Sequence, residues 1–418
     1  MIYKEALAWL YSLQRFGIKL GLENIKRLIR AQATDLSNAT VIHVAGTNGK
    51  GSVCAMIDSI CRAGKHRTGL FTSPHLVTFR ERIRVNGKMI SEKEVAAGLT
   101  NLRKLVASWD PHPTFFEITT ALALKHFTDS KIDIVILETG LGGRLDATNA
   151  IQSHVAVITP IALDHEKWLG DSLEKIASEK AGIIKAKTPV VSAPQLPEAE
   201  RVIRARATKC KAPLQFVDQA YTKSPVALRG EHQKLNAALA IAALDALFKL
   251  ECNKHSSLDN RKMQIDDAAI VRGLAKVEWP ARFQCWDKRT VVDGAHNPAA
   301  ARILVNTWRE VFGDKCATLV LAILSDKDLR AICETLLPIA DLILLPKIRT
   351  ERAADPAELQ KAFVDLGRKS ETSPSFGDAF AKARARKNPI LITGSLHFAG
   401  EALAHLQGKP AAFEECAQ

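Results

Sequence analysis

Thr40-Val-Ile-His-Val-Ala-Gly-Thr-Asn-Gly-Lys-Gly-Ser52 is the stretch that decides the fold. Thr40–Ala45 is an almost continuous apolar run, as expected of a strand buried on both faces of a parallel sheet. It leads into Gly46-Thr-Asn-Gly49-Lys50-Gly51-Ser52, and a helical period follows over Lys50–Arg62. Glycines at such a turn let backbone N–H groups face a polyphosphate, and the helix N-terminus adds positive potential. Lys50 is placed to reach the outer phosphates and Ser52 to ligate Mg²⁺. The match to G-x-x-x-x-G-K-[ST] has two departures: Val44 stands for the first glycine, and Gly51 separates Lys50 from Ser52. The bland alternative is a glycine-rich turn with no ligand. The strand–loop–helix context and the lysine favour the phosphate cradle.

Working outward, short β-branched runs alternate with helical periods. Strands are expected at Ile132–Glu138, His154–Thr159, Pro189–Ala193, Arg289–Asp293, Thr318–Leu324, Asp341–Leu345 and Pro389–Thr393. Helices are expected at Ser91–Ser108, Phe115–Phe127, Leu173–Ile184, His232–Phe248, Ala299–Val311 and Pro356–Asp365. The alternation predicts an α/β protein with mostly parallel, doubly wound sheets. It weakens between about 250 and 285, where Cys252–Asp259 is polar and Pro280 breaks any helix. A boundary there divides the chain into 1–280 and 281–418. Lys409–Gln418 reads as a loose tail.

At 418 residues the chain is long enough for two or three domains. Its 58 basic against 45 acidic side chains leave a net charge of +13, which suits nucleic acid or anionic small substrates. The basic residues are interspersed with acids. The densest runs, Arg201–Lys211 and Lys382–Lys387, read as solvated helix faces without interleaved aromatics, so no nucleic-acid platform is expected. No apolar run is long enough for a membrane span, and the N-terminus lacks the pattern of a signal peptide. The eight cysteines contain no CxxC pair, which points to free thiols and a cytoplasmic setting.

Chemistry-bearing residues follow other strand ends, where parallel sheets bind ligands. Glu138 ends one strand before Thr-Gly-Leu-Gly-Gly143-Arg-Leu-Asp146-Ala-Thr-Asn149, where a Mg²⁺ carried by a nucleotide would need an oxygen ligand. His165 follows the next strand end, where a structural and a metal-ligating histidine are both open readings. Lys180 lies on a neighbouring helix. Near a metal it would repel unless deprotonated or converted to an anion. Asp293 and His296 end a strand of the second domain, and Arg282 could point into a cleft between domains.

Together these segments resemble the folylpolyglutamate synthase/dihydrofolate synthase family of the Mur ligase superfamily. Further markers stand in order: Phe16-Gly-Ile-Lys-Leu-Gly-Leu-Glu23, Thr72-Ser-Pro-His-Leu76, Glu81-Arg-Ile-Arg-Val-Asn-Gly87, Thr114-Phe-Phe-Glu117, Glu179-Lys-Ala-Gly182, Pro280-Ala-Arg-Phe283 and Gly394-Ser-Leu396. The inserted Gly51 matches this family's GTNGKG[ST] loop. The resemblance implies an N-terminal P-loop ATPase domain and a smaller C-terminal Rossmann-like domain. It implies an ATP-dependent ligase that adds L-glutamate to dihydropteroate, to reduced folates, or to both; the bifunctional form is favoured. Thr47, Asn48, Gly49, Lys50, Gly51, Ser52, Asn236, Arg282 and Asp293 would bind ATP. Ser52, Ser73, Glu138, His165 and a carbamylated Lys180 would hold Mg²⁺, two ions in all, with K⁺ as a monovalent partner. Lys50, Glu138, His165, Lys180 and His296 would carry catalysis. Gly21, Leu22, Thr114, Phe115, Phe116, Glu117, Leu145, Asp146, Ala147, His296 and Ser395 would line the pteroate, folate and glutamate sites. Phe115 and Phe116 could pack a pterin ring. His397 stands where the family pattern has Tyr. The resemblance also implies a monomer with no nucleic-acid or membrane partner.

Two rival readings remain at this point. A Mur ligase of peptidoglycan synthesis would carry its own UDP-binding domain, for which the 45 residues before Gly46 are too few. A nucleic-acid-binding P-loop NTPase would need the basic, aromatic stripe that is absent.

Overall fold

The computed structural model describes residues 1–17, 19, 21–254 and 265–414, the side chains of 251–254 excepted. Two sheets organise it. The first contains β1 (Thr40–Ala45), β2 (Thr68–Phe71), β3 (Ile83–Val85), β4 (Lys88–Met89), β5 (Ile134–Glu138), β6 (Val155–Ile158), β7 (Val190–Ser192) and β8 (Leu214–Phe216), in the order β4-β3-β2-β5-β1-β6-β7-β8. The second contains β9 (Gln284–Cys285), β10 (Thr290–Val292), β11 (Ala317–Leu321), β12 (Ala340–Pro346), β13 (Glu371–Ser373) and β14 (Ile390–Thr393), in the order β13-β12-β11-β14-β10-β9. Pairing is parallel except for β3 and β4 at one edge and β9 at another.

Strand alternation sends neighbouring side chains into different cores, which is why the central strands read as continuous apolar runs. Val135 and Leu137 join Leu10, Ile25 and Phe127 on one face of the first sheet. Ile134, Ile136, Ile42 and Val44 join Val53, Ile57 and Leu239 on the other. In the second sheet Leu319 and Leu391 face Trp308 and Phe363, while Val320 and Ile392 face Phe376 and Phe398.

Register places the strand ends that matter. Val44 of β1 pairs with Glu138, and Ala45 with Ile158, so the glycine loop leaves β1 between the ends of β5 and β6. Phe71 pairs with Leu137, which brings Thr72 and Ser73 alongside Glu138. The chain leaves β1 for β2 on one side and reaches β6 on the other, so this end of the sheet is a topological switch point.

Three expectations are corrected. A helix, Asp267–Lys276, capped by Asp266, lies in the region read as irregular, and its Gly273 packs directly on Ile60 of the helix Lys50–Ala63. The helix expected to end at Ile184 stops at Ala181, which puts Lys180 in its last turn. Of the supposed loose tail, 409–414 is folded against the protein; polar groups of the loop after β2 bind it, and composition gave no sign of them. Most of Cys252–Asp259, and residues 415–418, lie outside the described residues. Among the described residues Cys54, Cys61, Cys210, Cys285, Cys316 and Cys333 are free thiols, and no helix is long and apolar enough to cross a membrane.

Candidate active site

Gly49 caps the helix Lys50–Ala63 in a left-handed conformation (φ 89°), where glycine is favoured. A side chain there would also press on Asn236, and one at Gly51 would meet the Trp279 indole. The loop is therefore closely flanked by Asn236 and Trp279. Lys50 Nζ donates to the carbonyls of Gly46 (3.1 Å) and Thr47 (3.2 Å). Lys180 is buried, and its Nζ donates to the same Gly46 carbonyl at 2.9 Å. Burial, reinforced by the Lys50 charge, pushes the Lys180 amine down to about 7.

The carboxylate of Glu138 is buried and accepts from Ser73 N–H at 3.1 Å. Burial raises its pKa, against the pull of Lys50 and the Ser73 N–H. Ser73 Oγ is buried without a hydrogen-bond partner among the described residues. Buried hydroxyls are normally satisfied, so an orphan beside a buried carboxylate suits a hard cation. Ser52 Oγ is buried too and accepts a long contact from Gln233, at 3.5 Å. Burial pushes the His165 imidazole down to about 4, against the pull of Asp164. It is therefore neutral and able to ligate. Among the described residues no three His, Cys, Asp or Glu side chains converge on a metal position. A divalent ion held here would need serine and phosphate oxygens as well, as Mg²⁺ usually does at nucleotide sites.

The second domain faces this loop. Asn297 and Asn48 exchange amide hydrogen bonds (3.1 and 3.4 Å). Lys327 Nζ donates to Asp164 Oδ1 at 2.7 Å, with both side chains nearly buried. His296 donates through Nδ1 to the Gly294 carbonyl (2.8 Å) and turns Nε2 toward Asp164, 3.6 Å away. Burial alone would raise the Asp164 carboxyl; hydrogen bonding and charge from His296, with the Lys327 charge, hold it well below the usual carboxylate range. Removing one partner of such a nearly buried pair would leave an uncompensated charge. Arg282 sits between Ala281 and Phe283, both with positive φ (55° and 41°), and lines a cleft with Ser73, Glu138, Trp279 and Pro280. Asp293 is engaged by Phe283 N–H (2.7 Å) and Ala295 N–H (2.8 Å).

Other expected substrate residues also hold local structure. Asp146 accepts from the N–H groups of Gly140 and Leu141 (both 2.9 Å) and from Thr148, which shapes the turn holding Leu145 and Ala147. Thr114 and Glu117 form the capping box of the helix Phe115–Asp129. Phe115 is committed to the core, stacked on Tyr11 at 5.8 Å. Phe116 is half-buried and lies over Gly140. Gly21 and Leu22 lead into the helix Glu23–Ala31. Ser395 is the N-cap of the helix Leu396–Leu406. Lys327, Asn297, Gln233 and Trp279 were not anticipated. Lys327 follows the end of β11, so the strand-end rule could have found it.

The family models for the Mur ligase middle domain and the Mur ligase glutamate ligase domain match residues 44–209 and 281–396. A Bacillus subtilis protein named dihydrofolate synthase/folylpolyglutamate synthase is 35% identical, over 95% of this chain and 97% of its own. The chain belongs to the dihydrofolate synthase/folylpolyglutamate synthase family. Its members' fold is shared throughout. The Mycobacterium tuberculosis folylpolyglutamate synthase complexed with ADP superposes with a TM-score of 0.86 at 31% identity, covering 97% of this chain and 99% of that one. A bifunctional folylpolyglutamate synthase/dihydrofolate synthase from Yersinia pestis, complexed with AMPPNP and Mn ion, gives 0.85 at 32% identity, with 97% and 98% covered. As a dihydrofolate synthase/folylpolyglutamate synthase family member, the chain is an ATP-dependent ligase. A divalent metal alongside ATP fits this family, as in the Yersinia pestis complex with AMPPNP and Mn ion.

Proposed function

We propose that this protein joins L-glutamate to dihydropteroate and also extends the glutamate tail of reduced folates. The observation that carries the reading is the facing of two strand-end sites. The Lys50 loop with the Ser73–Glu138 pair lies on one domain, and Arg282 and His296 on the other. The B. subtilis relative is named for both activities. In this reading domain 1–280 binds ATP through Thr47–Ser52 and Asn236, and domain 281–418 adds Arg282 and Asp293. A carboxylate is a poor electrophile, so the γ-phosphoryl of ATP is first transferred to it. Lys50 neutralises charge on that group, and the loop N–H groups hold it in line. The free amine of glutamate, placed near His296, then attacks the acyl carbon; phosphate leaves and an amide remains. Binding both substrates in one cleft supplies much of the rate. Mg²⁺, when bound, screens the phosphate charge; Ser52, Ser73, Glu138, His165 and carbamylated Lys180 would hold two such ions, with K⁺ beside them. Phe116 is the proposed wall of the pterin site. The protein is proposed to act as a cytoplasmic monomer without nucleic-acid or membrane partners.

The test is ATP hydrolysis and amide formation by the purified protein with L-glutamate plus dihydropteroate or tetrahydrofolate. Product from both substrates is expected. No product from either would end the reading, and product from one alone would end its bifunctional half.

The buried Lys180 amine suits carbamate formation, in which a neutral amine attacks CO₂ and releases a proton. Activity is expected to fall when bicarbonate is removed and to return when it is restored. Lys180→Ala should lose about 100-fold and ignore bicarbonate. Full activity in that variant would remove the carbamate.

A further inference from the structure

The segment after the helix Leu396–Leu406 crosses back to the first domain. Phe413 meets His397 edge-on, with ring centroids 5.1 Å apart, and Glu414 reaches the loop between β2 and β3. Glu414 N–H donates to the Val77 carbonyl at 2.8 Å. Its own carbonyl accepts from His75 Nε2 at 3.1 Å. The tautomer follows from chemistry: Arg82 Nε, donor only, occupies His75 Nδ1 at 2.8 Å, so Nε2 carries the proton. The Glu414 carboxylate accepts from Phe79 N–H (2.6 Å), Thr78 Oγ1 (3.1 Å) and the Tyr3 hydroxyl (3.1 Å). Glu81 takes the N–H groups of Leu76, Val77 and Thr78 at 2.9–3.0 Å. Two carboxylates thus hold the N–H groups of Leu76 through Phe79. From above, the Leu76 side chain enters the second domain's core, and its carbonyl lies under Gly400, where an added Cβ would come within 2.0 Å. The other end of this loop is Ser73, with its N–H on Glu138 and its hydroxyl unpartnered.

We propose that Glu414 is a positioning residue: it fixes the 73–79 loop so that Ser73 stays against Glu138, and thereby sets the affinity for metal-bound nucleotide. The proposal rests on the reading of Ser73 and Glu138 as metal-side groups. It makes the junction between the domains part of the nucleotide site, since the strap arrives from the second domain.

The test is calorimetric binding of a non-hydrolysable ATP analogue, in Mg²⁺ and in EDTA, to the wild type, Glu414→Ala and Glu414→Gln. Charge-assisted bonds to the loop are lost in Glu414→Ala, so its affinity in Mg²⁺ should fall about tenfold, with affinity in EDTA unchanged. Glu414→Gln keeps one acceptor oxygen and should fall about threefold; it decides the matter if the alanine variant does not fold. Unchanged affinity in Mg²⁺, or equal losses in Mg²⁺ and EDTA, would make Glu414 a stabilising contact only and overturn the proposal. Wild-type binding that ignores Mg²⁺ would overturn the metal reading, and the proposal with it.

Discussion

Lys50→Ala should lower kcat/KM by about 10³-fold or more while the protein still folds, because this side chain is asked for about 4 kcal/mol of transition-state stabilisation. Among the described residues its ammonium hydrogen-bonds only to the Gly46 and Thr47 carbonyls of its own loop. Removing it therefore breaks no described hydrogen bond between elements, and Lys180 still donates to Gly46. Thermal melting should move little. Lys50→Arg should not restore turnover, since a planar guanidinium cannot stand in for a compact ammonium against a phosphoryl group. Single-turnover measurement separates this effect from weaker ATP binding. A variant within tenfold of wild type in the chemical step would show that charge neutralisation lies elsewhere.

Local order was far easier to read than long-range meeting. β1 and its loop were legible because a buried parallel strand is continuously apolar and the glycines follow at once. β2 was not: Thr68–Phe71 is short and contains Gly69, yet its register with β5 is what delivers Ser73 to Glu138. The helix Asp267–Lys276 was hidden next to a polar stretch. Glu117 and Asp146 show a different limit. An acid in a motif reads alike whether it contacts a ligand or a turn, and the turn bonds appear only in the structure. The domain junction was beyond reach. Asn48 and Asn297 are 249 positions apart, and Asp164 and Lys327 are 163 apart. No periodicity couples such pairs. The tail failed for the same reason, since its partners lie on the far side of the chain.

Glu138→Gln should separate activity from stability in opposite directions. The carboxylate is buried and its folded pKa is raised by that burial. An acid of this kind binds its proton more tightly when folded. Its ionisation then erodes stability as pH rises from the unfolded value of about 4.3 through the higher folded one. Glutamine carries no charge and still offers an oxygen to Ser73 N–H. In EDTA the variant should therefore melt above the wild type at pH 7, and the gap should close near pH 4. Ligase activity should fall about 10³-fold, because the anionic oxygen beside the Ser73 hydroxyl is lost. A site that is costly to the empty fold and needed by the reaction is what a stability–activity trade-off predicts. Lower melting at pH 7 would mean that the Glu138 charge is a structural ion-pair member. Retained Mg²⁺-dependent turnover would move the cation elsewhere.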